Sequence, residues 1–418
     1  MSRRWILLGL VFLAIIINYI DRGNVSIAAP SIMRDFHLEP AAMGVVLSAF
    51  FWTYALFQIP AGALVDRFGI RWVYAGAFVV WSVASAAIAL SSGPGGIIGL
   101  RLILGLAEAA APLASLSFIR SNFSGKDQGL PTAIYIGGQN IGPALGVLVG
   151  AILLHDYGWR SMFALTGLVA LVWVPFWLIA APSGRQSPAP QAEKLAENLP
   201  PPRRWTRGVV LADRTFWAMA FSILLSSYYW YFVLTWVPAY LMLSRGFSTL
   251  AMGHVLSTAL FTMAAVTIFA GAIADRLASR IGVFQARLWF GVLGYAGTAS
   301  ILLLLVTNRS WVLPILTFSL CSTGIGNSNY WTITQHVSPK HMVGRAVGFL
   351  NTVSVIAGAA APLVTGFLLG PHKHFGPAIV VAGVCAFLAA VCLLAAGTRG
   401  LARMKALLEG GVPADAWR

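Results

Sequence analysis

The sequence has 418 residues, of which 58% are hydrophobic and only 10% are charged, and its mean hydropathy is +0.79. Soluble domains carry roughly a quarter charged residues, so this composition excludes a soluble globular protein and indicates an integral membrane protein. The formal net charge of +15 does not indicate nucleic-acid binding, because the basic residues lie in short loops between apolar runs, where they determine topology.

Apolar runs long enough to cross a bilayer recur along the whole chain. A helix of about 20 apolar residues spans the hydrocarbon core, and twelve such runs predict an all-α membrane protein with twelve transmembrane helices. The runs lie at about 5–29, 41–64, 72–91, 95–119, 128–154, 159–181, 214–242, 250–273, 285–306, 311–337, 344–369 and 375–397.

One connection between the runs is long. Residues 182–213 are rich in proline and arginine, which is typical of a flexible linker rather than a domain. We therefore predict an N-terminal six-helix bundle at 1–181, a cytoplasmic linker at 182–213, a C-terminal six-helix bundle at 214–397 and a cytoplasmic tail at 398–418.

The distribution of lysine and arginine predicts the orientation. With the N-terminus inside, the cytoplasmic segments hold 21 of the 28 basic residues. This bias places both termini and the linker in the cytoplasm of a plasma (inner) membrane protein. The outer loops hold only five basic residues, namely Arg34, Arg160, Arg245, Arg309 and Lys373.

The sequence contains no signature of an enzyme or of a metal site. It has no Walker loop, no nucleophile elbow and no soluble domain to carry one. The three cysteines (Cys321, Cys385 and Cys392) lie in apolar runs without metal-ligand spacing, so we interpret them as packing residues. We predict neither an enzyme nor a metal or organic cofactor.

A loop motif repeats between the two halves at a constant offset of 209 residues. It follows the second run and returns after the eighth, so the chain is predicted to be a duplicated six-helix unit. The shared aspartates and arginines are candidates for a latch that closes the cytoplasmic side by pairing with the other half; topology anchoring is the alternative. The candidates are Asp66, Arg67 and Arg71 in the first copy and Asp275, Arg276 and Arg280 in the second.

Four ionisable residues lie well inside apolar runs of the first half. They are Asp21 and Arg22 in the first run and Arg101 and Glu108 in the fourth. Such residues are costly in a membrane and indicate a functional site. Arg101 and Glu108 are seven residues apart and so share one helix face. We predict no carboxylate or arginine inside a span of the second half.

These charges predict an anion site coupled to protons. Guanidinium groups match the geometry of a carboxylate, and a buried carboxyl group can take up a proton that frees its arginine partner. Because Asp21 and Arg22 point about 100° apart on a helix, we expect Asp21 to pair with Arg101 and Glu108 to pair with Arg22. The alternatives are that the four residues form two structural ion pairs, or that Asp21 and Arg22 lie at the membrane interface.

The repeated loop motif resembles the signature of the major facilitator superfamily. Three further patterns together resemble the anion:cation symporter family. They are Asn18-Tyr-x-Asp21-Arg22, the pattern from Arg101 through Gly105 and Glu108 to Pro112, and Gly158-Trp159-Arg160. This resemblance implies two pseudo-symmetric six-helix bundles that work by alternating access. It also implies proton coupling at Asp21 and Glu108, and substrate binding or gating at Arg22 and Arg101.

Uncharged polar residues complete the predicted site. Tyr19, Tyr54 and Gln139 lie in the first half, and the family resemblance places Ser328, Trp331 and Asn351 of the second half against the substrate. Packing is the alternative for each. The glycines around Gln139 are predicted to allow close helix packing. The seventh run lacks the arginine of the vesicular glutamate branch, which favours a polyhydroxy monocarboxylate.

We therefore predict a proton-coupled importer of small organic anions, namely sugar acids of the galactonate, glucarate or hexuronate type. Its partners would be the anion, protons and the lipid bilayer, with no nucleic acid, and it would act as a monomer. The alternatives are an exporter or antiporter of amphipathic compounds, a carrier of aromatic or dicarboxylic acids, and a signalling receptor without transport. The buried arginines argue against cationic drugs as substrates.

Overall fold

A computed structural model describes residues 3–123, 127–181, 213–338 and 343–409. The predicted linker up to residue 212, and the end of the predicted tail from residue 410, lie outside the described residues. The described chain is helical and contains no strand.

Fourteen α-helices follow one another in the described chain. A π-helical turn, Tyr240–Ser244, extends α8, and short 3₁₀ segments at Ala299–Leu305 and Arg309–Trp311 lie between α10 and α11. The helices are α1 Arg3–Asp35, α2 Pro40–Phe68, α3 Ile70–Ile88, α4 Pro94–Glu108, α5 Ala110–Asn122, α6 Gly129–Ala170, α7 Trp173–Ala180, α8 Arg214–Ala239, α9 Thr249–Ile281, α10 Val283–Thr298, α11 Val312–Val337, α12 Val343–Leu369, α13 Gly376–Ala396 and α14 Thr398–Glu409.

The helices account for the twelve predicted crossings. Within the described residues, ten stretches are long and apolar enough to span a membrane. One of them, Gly129–Ala180, contains two crossings, because the backbone leaves the helical conformation at Gly158 (φ 76°, ψ 169°). Only glycine adopts this φ without strain. Helix α11 supplies the remaining crossing with 26 residues, so the prediction of twelve transmembrane helices is confirmed.

The first compact unit comprises Met1–Arg203 together with Leu234–Ser257 and Pro362–Lys373. Within it, α6 packs closely on α1 along a stripe of glycines. A Cβ atom on Gly142 would lie 2.9 Å from the Cβ of Tyr19, and one on Gly146 would lie 3.1 Å from the Cα of Ile20. The predicted role of these glycines in close helix packing is confirmed, and this packing fixes the rotation of α1.

Helices α2 and α4 are held together just as closely. A Cβ on Gly105 would collide with the carbonyl oxygen of Phe50. Thr53 also donates a hydrogen bond to the carbonyl of Leu102 at 2.7 Å. Glu108 is the last residue of α4. The helix is interrupted there because Pro112, four residues later, has no N–H group to donate to the Glu108 carbonyl.

The second compact unit comprises Arg204–Val233, Thr258–Ala361 and His374–Arg418. Its core includes Leu401 and Met404 of α14, so the first part of the predicted tail is an amphipathic helix packed against this unit. Arg403 forms an ion pair with Asp213 at 3.0 Å. Asp213 also caps the start of α8 by accepting a hydrogen bond from the Thr215 amide at 2.7 Å.

Candidate functional site

The first unit contains a buried ion pair between α1 and α4. Arg22 donates two hydrogen bonds to Oε2 of Glu108, from Nη2 at 2.9 Å and from Nε at 3.2 Å. The side chain of Glu108 is 1% exposed and that of Arg22 is 15% exposed. Asn18, one turn earlier on α1, accepts a further hydrogen bond from Arg22 Nη2 at 3.3 Å. The predicted pairing of Glu108 with Arg22 is confirmed.

Aromatic rings surround the Arg22 guanidinium group. Its central carbon lies 4.7 Å from the ring centroid of Phe50, 4.9 Å from that of Tyr54 and 5.4 Å from that of Tyr19. The rings of Phe50 and Tyr54 are stacked at 5.3 Å. Ring faces attract a cation without competing for its N–H groups, so these contacts hold the guanidinium group without occupying its hydrogen-bond donors.

Arg101 lies on α4, two turns before Glu108, and is 2% exposed. It donates one hydrogen bond from Nη2 to the carbonyl oxygen of Leu47 at 3.0 Å, and its guanidinium carbon lies 5.6 Å from the ring centroid of Phe50. Among the described residues it has no ion pair, and its Nε is buried without a hydrogen-bond partner. A buried cation without a carboxylate is a strong candidate for binding an anionic ligand.

Asp21 points away from both arginines. It is 2% exposed and accepts a hydrogen bond from the hydroxyl of Ser85, on α3, at 3.0 Å. The prediction that Asp21 pairs with Arg101 is therefore wrong for this structure. The reason is helix geometry, because Arg22 faces α2 and α4 and its neighbour Asp21 is rotated by about 100° toward α3.

Each of the two buried carboxylates has one oxygen atom without a partner. Oδ2 of Asp21 and Oε1 of Glu108 are buried and receive no hydrogen bond within the described part of the chain. A proton on either oxygen would remove a buried charge without displacing a hydrogen bond that is already made. Both carboxyl groups thus have a vacant position for a proton.

The remaining predicted site residues of the first half differ in their contacts. Tyr54 is 7% exposed and stacks on Phe50 as described above. Gln139, on α6, is half-buried and donates a long hydrogen bond of 3.4 Å to the hydroxyl of Tyr135. This weak bond leaves the amide of Gln139 able to bind another hydroxyl group.

The predicted site residues of the second half lie in the second unit. Ser328 and Trp331 are on α11 and Asn351 is on α12, and all three are half-buried. Ser328 donates a hydrogen bond to the Ile325 carbonyl of its own helix at 3.2 Å. The ring of Trp331 lies edge-on to that of Tyr330 at 5.5 Å.

The prediction that the second half has no arginine inside a span is wrong. Arg287, on α10, is 7% exposed and donates a hydrogen bond to Oδ1 of Asn329 at 3.0 Å. It also forms an ion pair with Asp275 at the end of α9. Arg287 lies near the start of the predicted run at 285–306, and its buried acceptor on α11 could not be seen from the sequence.

The latch candidates lie at the end of α2, at the start of α3 (Arg71) and in the last turns of α9. Arg71 is half-buried and the other five are exposed. Asp275 pairs with Arg287 of its own unit. Pairing of these residues with the other half stays a prediction. No cluster of three or more potential metal ligands occurs among the described residues.

Comparison with known proteins assigns the family. The Major Facilitator Superfamily profile matches residues 11–362, most of the chain. The chain belongs to the major facilitator superfamily. It is therefore a multi-pass membrane transporter and not an enzyme.

Relatives and a solved structure support this membership. The chain is 28% identical over 417 residues to a probable galactarate/D-glucarate transporter of Escherichia coli K12, with 94% of both chains covered. It is also 28% identical over 398 residues to the hexuronate transporter of Bacillus subtilis, with 92% of both covered. The crystal structure of a D-xylose–proton symporter has the same fold, with a TM-score of 0.74, 18% identity and 94% and 97% coverage. The predicted resemblance to anion:cation symporters agrees with these relatives.

Proposed function

We propose that this chain is a proton-coupled importer of small sugar-acid anions. The observation that carries the proposal is the pair of buried arginines, Arg22 and Arg101, around Phe50 in the first unit. Relatives that cover nearly the whole chain are named as transporters of galactarate, glucarate and hexuronate. A carboxylate is the group that two guanidinium forks recognise best.

In this proposal the substrate carboxylate first binds Arg101, whose Nε has no partner, and then competes with Glu108 for Arg22. Protonation of Glu108 weakens its two hydrogen bonds from Arg22 and makes the guanidinium group available to the substrate. Binding of the anion and binding of the proton therefore favour each other.

Asp21 has a different part in the proposal. It has no cation to release, so its protonation acts on α1 and α3 through the hydrogen bond from Ser85. Proton uptake neutralises an isolated buried charge. The free-energy cost of moving α1 within the membrane during the transport cycle is then lower.

Neutral polar residues are proposed to bind the hydroxyl groups of the sugar acid. Gln139 contributes from α6, Ser328 and Trp331 from α11, and Asn351 from α12, while Tyr19 and Tyr54 hold Arg22 in place. Such groups discriminate between polyhydroxy acids and simple carboxylic acids, because a buried donor or acceptor left unpaired costs about 1–3 kcal/mol.

We also propose the topology and the conformational latch from the sequence. Both termini face the cytoplasm of the inner (plasma) membrane, and the chain acts as a monomer by alternating access of two six-helix bundles. Asp66, Arg67 and Arg71, with Arg276 and Arg280, hold the cytoplasmic side closed. Asp275 is the sixth residue of the proposed latch.

The test is uptake of radiolabelled D-glucarate and D-galactonate into proteoliposomes under an imposed pH gradient. Accumulation that requires an acidic outer compartment and that collapses with a protonophore supports symport. Uptake driven by the opposite gradient would indicate an antiporter or exporter. Binding without any flux would indicate a receptor.

A further inference from the structure

The first unit contains a cavity of about 1130 Å³ that includes none of the four buried charges. It is lined by the end of α1 and the following turn, by the kink of α6 at Gly158, by the segment from Met242 to Thr249 and by Lys373. Each of these segments follows an odd-numbered crossing: the first, the fifth, the seventh and the eleventh. In the proposed topology the segments after odd-numbered crossings face the outside of the cell.

The cavity has an excess of positive charge. Arg34, Arg160 and Lys373 line it together with a single carboxylate, Asp35. Asp35 accepts hydrogen bonds from the Trp159 indole at 2.8 Å and from Arg160 at 3.3 Å. Two further positive charges therefore have no full counter-charge in the cavity.

The two remaining cations are available to a ligand. The Nε of Arg34 lies 3.9 Å from Asp35, at the outer limit of an ion pair, and its side chain is 79% exposed. Lys373 has no ion pair among the described residues. His37 and His155 also line the cavity, and His155 contacts the neighbouring Asp156 at 2.7 Å.

The sequence makes this concentration of charge unusual. Only five of the 28 basic residues are predicted to lie in outer loops, because lysine and arginine are disfavoured there. Three of those five line this one cavity, although they come from loops that are far apart in the sequence. A need to anchor topology does not explain cations on the outer side.

We propose that this cavity is an outer vestibule that collects small carboxylate anions before they reach Arg22 and Arg101. The inference rests on the proposed function for the identity of the anion. A concave surface whose charged groups have one sign raises the local concentration of oppositely charged solutes, and this effect falls steeply with ionic strength. The vestibule thus increases the rate of substrate capture at low salt and leaves the later steps unchanged.

A cysteine reporter tests the anion preference without relying on transport. In a background in which Cys321, Cys385 and Cys392 are replaced by serine, Ser248→Cys places a thiol in the cavity wall. Intact cells are treated with the membrane-impermeant reagents methanethiosulfonate ethylsulfonate, which is anionic, and its cationic trimethylammonium analogue. We measure the ratio of the two reaction rates.

The expected result is a ratio that depends on the cavity cations. The double variant Arg34→Gln/Lys373→Gln should lower the anionic-to-cationic ratio at least threefold, which is about half of a tenfold steering effect on a logarithmic scale. Arg309→Gln, which removes an outer cation that does not line the cavity, should leave the ratio unchanged. Ser31→Cys provides a second reporter position if Ser248→Cys does not fold.

Transport kinetics give the second readout. At about 0.01 M salt, where the Debye length is about 30 Å, the double variant should raise the KM for D-glucarate about threefold with unchanged maximal rate. At about 1 M salt, where the Debye length is about 3 Å, its KM should equal that of the wild type.

The outcomes separate this proposal from the proposed function. A reagent ratio that the double variant does not change, or that Arg309→Gln changes equally, overturns the vestibule. A wild type that transports no sugar acid overturns the proposed function, while the reagent ratio still decides whether the cavity prefers anions.

Discussion

Replacing Glu108 with glutamine should separate substrate exchange from proton-driven accumulation. In the structure, Oε2 of Glu108 receives both hydrogen bonds that Arg22 donates to it, at 2.9 and 3.2 Å. Glutamine has nearly the same shape and can still accept from Arg22, but it carries no charge and cannot release a proton. The substitution therefore fixes the site in a state that resembles the protonated one.

The size of the effect follows from the ion pair. Two opposite charges about 4 Å apart attract by about 4 kcal/mol at an effective dielectric constant of about 20. The amide retains about 1 kcal/mol as a neutral hydrogen bond, and the cost of desolvating the carboxylate offsets part of the remainder. We expect about 1.4 kcal/mol in favour of the substrate, which is about tenfold tighter binding at alkaline pH.

Two assays measure these effects on the same proteoliposomes. Counterflow exchange of labelled D-glucarate should continue in Glu108→Gln, whereas accumulation under a pH gradient should be lost. Substrate binding to the purified variant should also be tighter than wild type at alkaline pH and nearly independent of pH. Glu39→Gln is the matched control, because Glu39 is an exposed carboxylate just before α2.

A Glu108→Gln variant that still concentrates substrate with the wild-type pH dependence refutes this reasoning. Glu108 would then be only a structural partner of Arg22. Loss of counterflow as well as accumulation, in a variant that melts like the wild type, would mean that the charge of Glu108 is needed for binding and that the substrate does not compete with it.

Three further predictions follow from neighbouring contacts. Asp21→Asn should preserve substrate binding but abolish accumulation. Ser85→Ala, which removes the hydrogen bond from Ser85 to Asp21, should shift the pH dependence of uptake without abolishing it, and uptake measured across a pH series decides. Arg101→Lys should weaken substrate binding at least tenfold, about 1.4 kcal/mol, because an ammonium point charge replaces the planar guanidinium fork. A dissociation constant that calorimetry finds unchanged would mean that Arg101 has only a structural role. Gly105→Ala should lower the melting temperature, since overpacking costs about 1–3 kcal/mol, while Gly137→Ala, whose Cβ meets nothing within 4 Å, should not.

Much of the fold could be predicted from the sequence because each crossing is a local pattern. The twelve apolar runs, the break at Gly158 and the packing glycines of α6 all follow from rules that act within one or two helices. The pairing of Arg22 with Glu108 was also predicted, because charges in a membrane have few partners to choose from.

The rest of the site depends on helix rotations that one sequence does not specify. Asp21 contacts Ser85, and nothing in the pattern around Ser85 distinguishes it from the other small residues of α3. Phe50 lies in an aromatic run with no periodic signal. Arg287 lies near the start of a predicted run, and its partners Asn329 and Asp275 come from two other helices.

The four buried charges of the first unit also predict how many protons accompany the substrate. Asp21 and Glu108 balance Arg22 and Arg101, so the empty site is neutral when neither carboxyl group is protonated. A bound anion would leave one uncompensated negative charge per carboxylate, which is costly in a low-dielectric site unless a proton enters with it. Two carboxyl groups can accept two protons, enough to neutralise a dianion. We therefore expect at least one proton for each negative charge on the substrate, so that D-glucarate is accompanied by more protons than D-galactonate.

The measurement is the ratio of proton flux, from a pH-sensitive dye, to labelled substrate flux in the same proteoliposomes. A ratio below one proton per carboxylate would show that some other group, outside these four residues, balances the charge of the substrate.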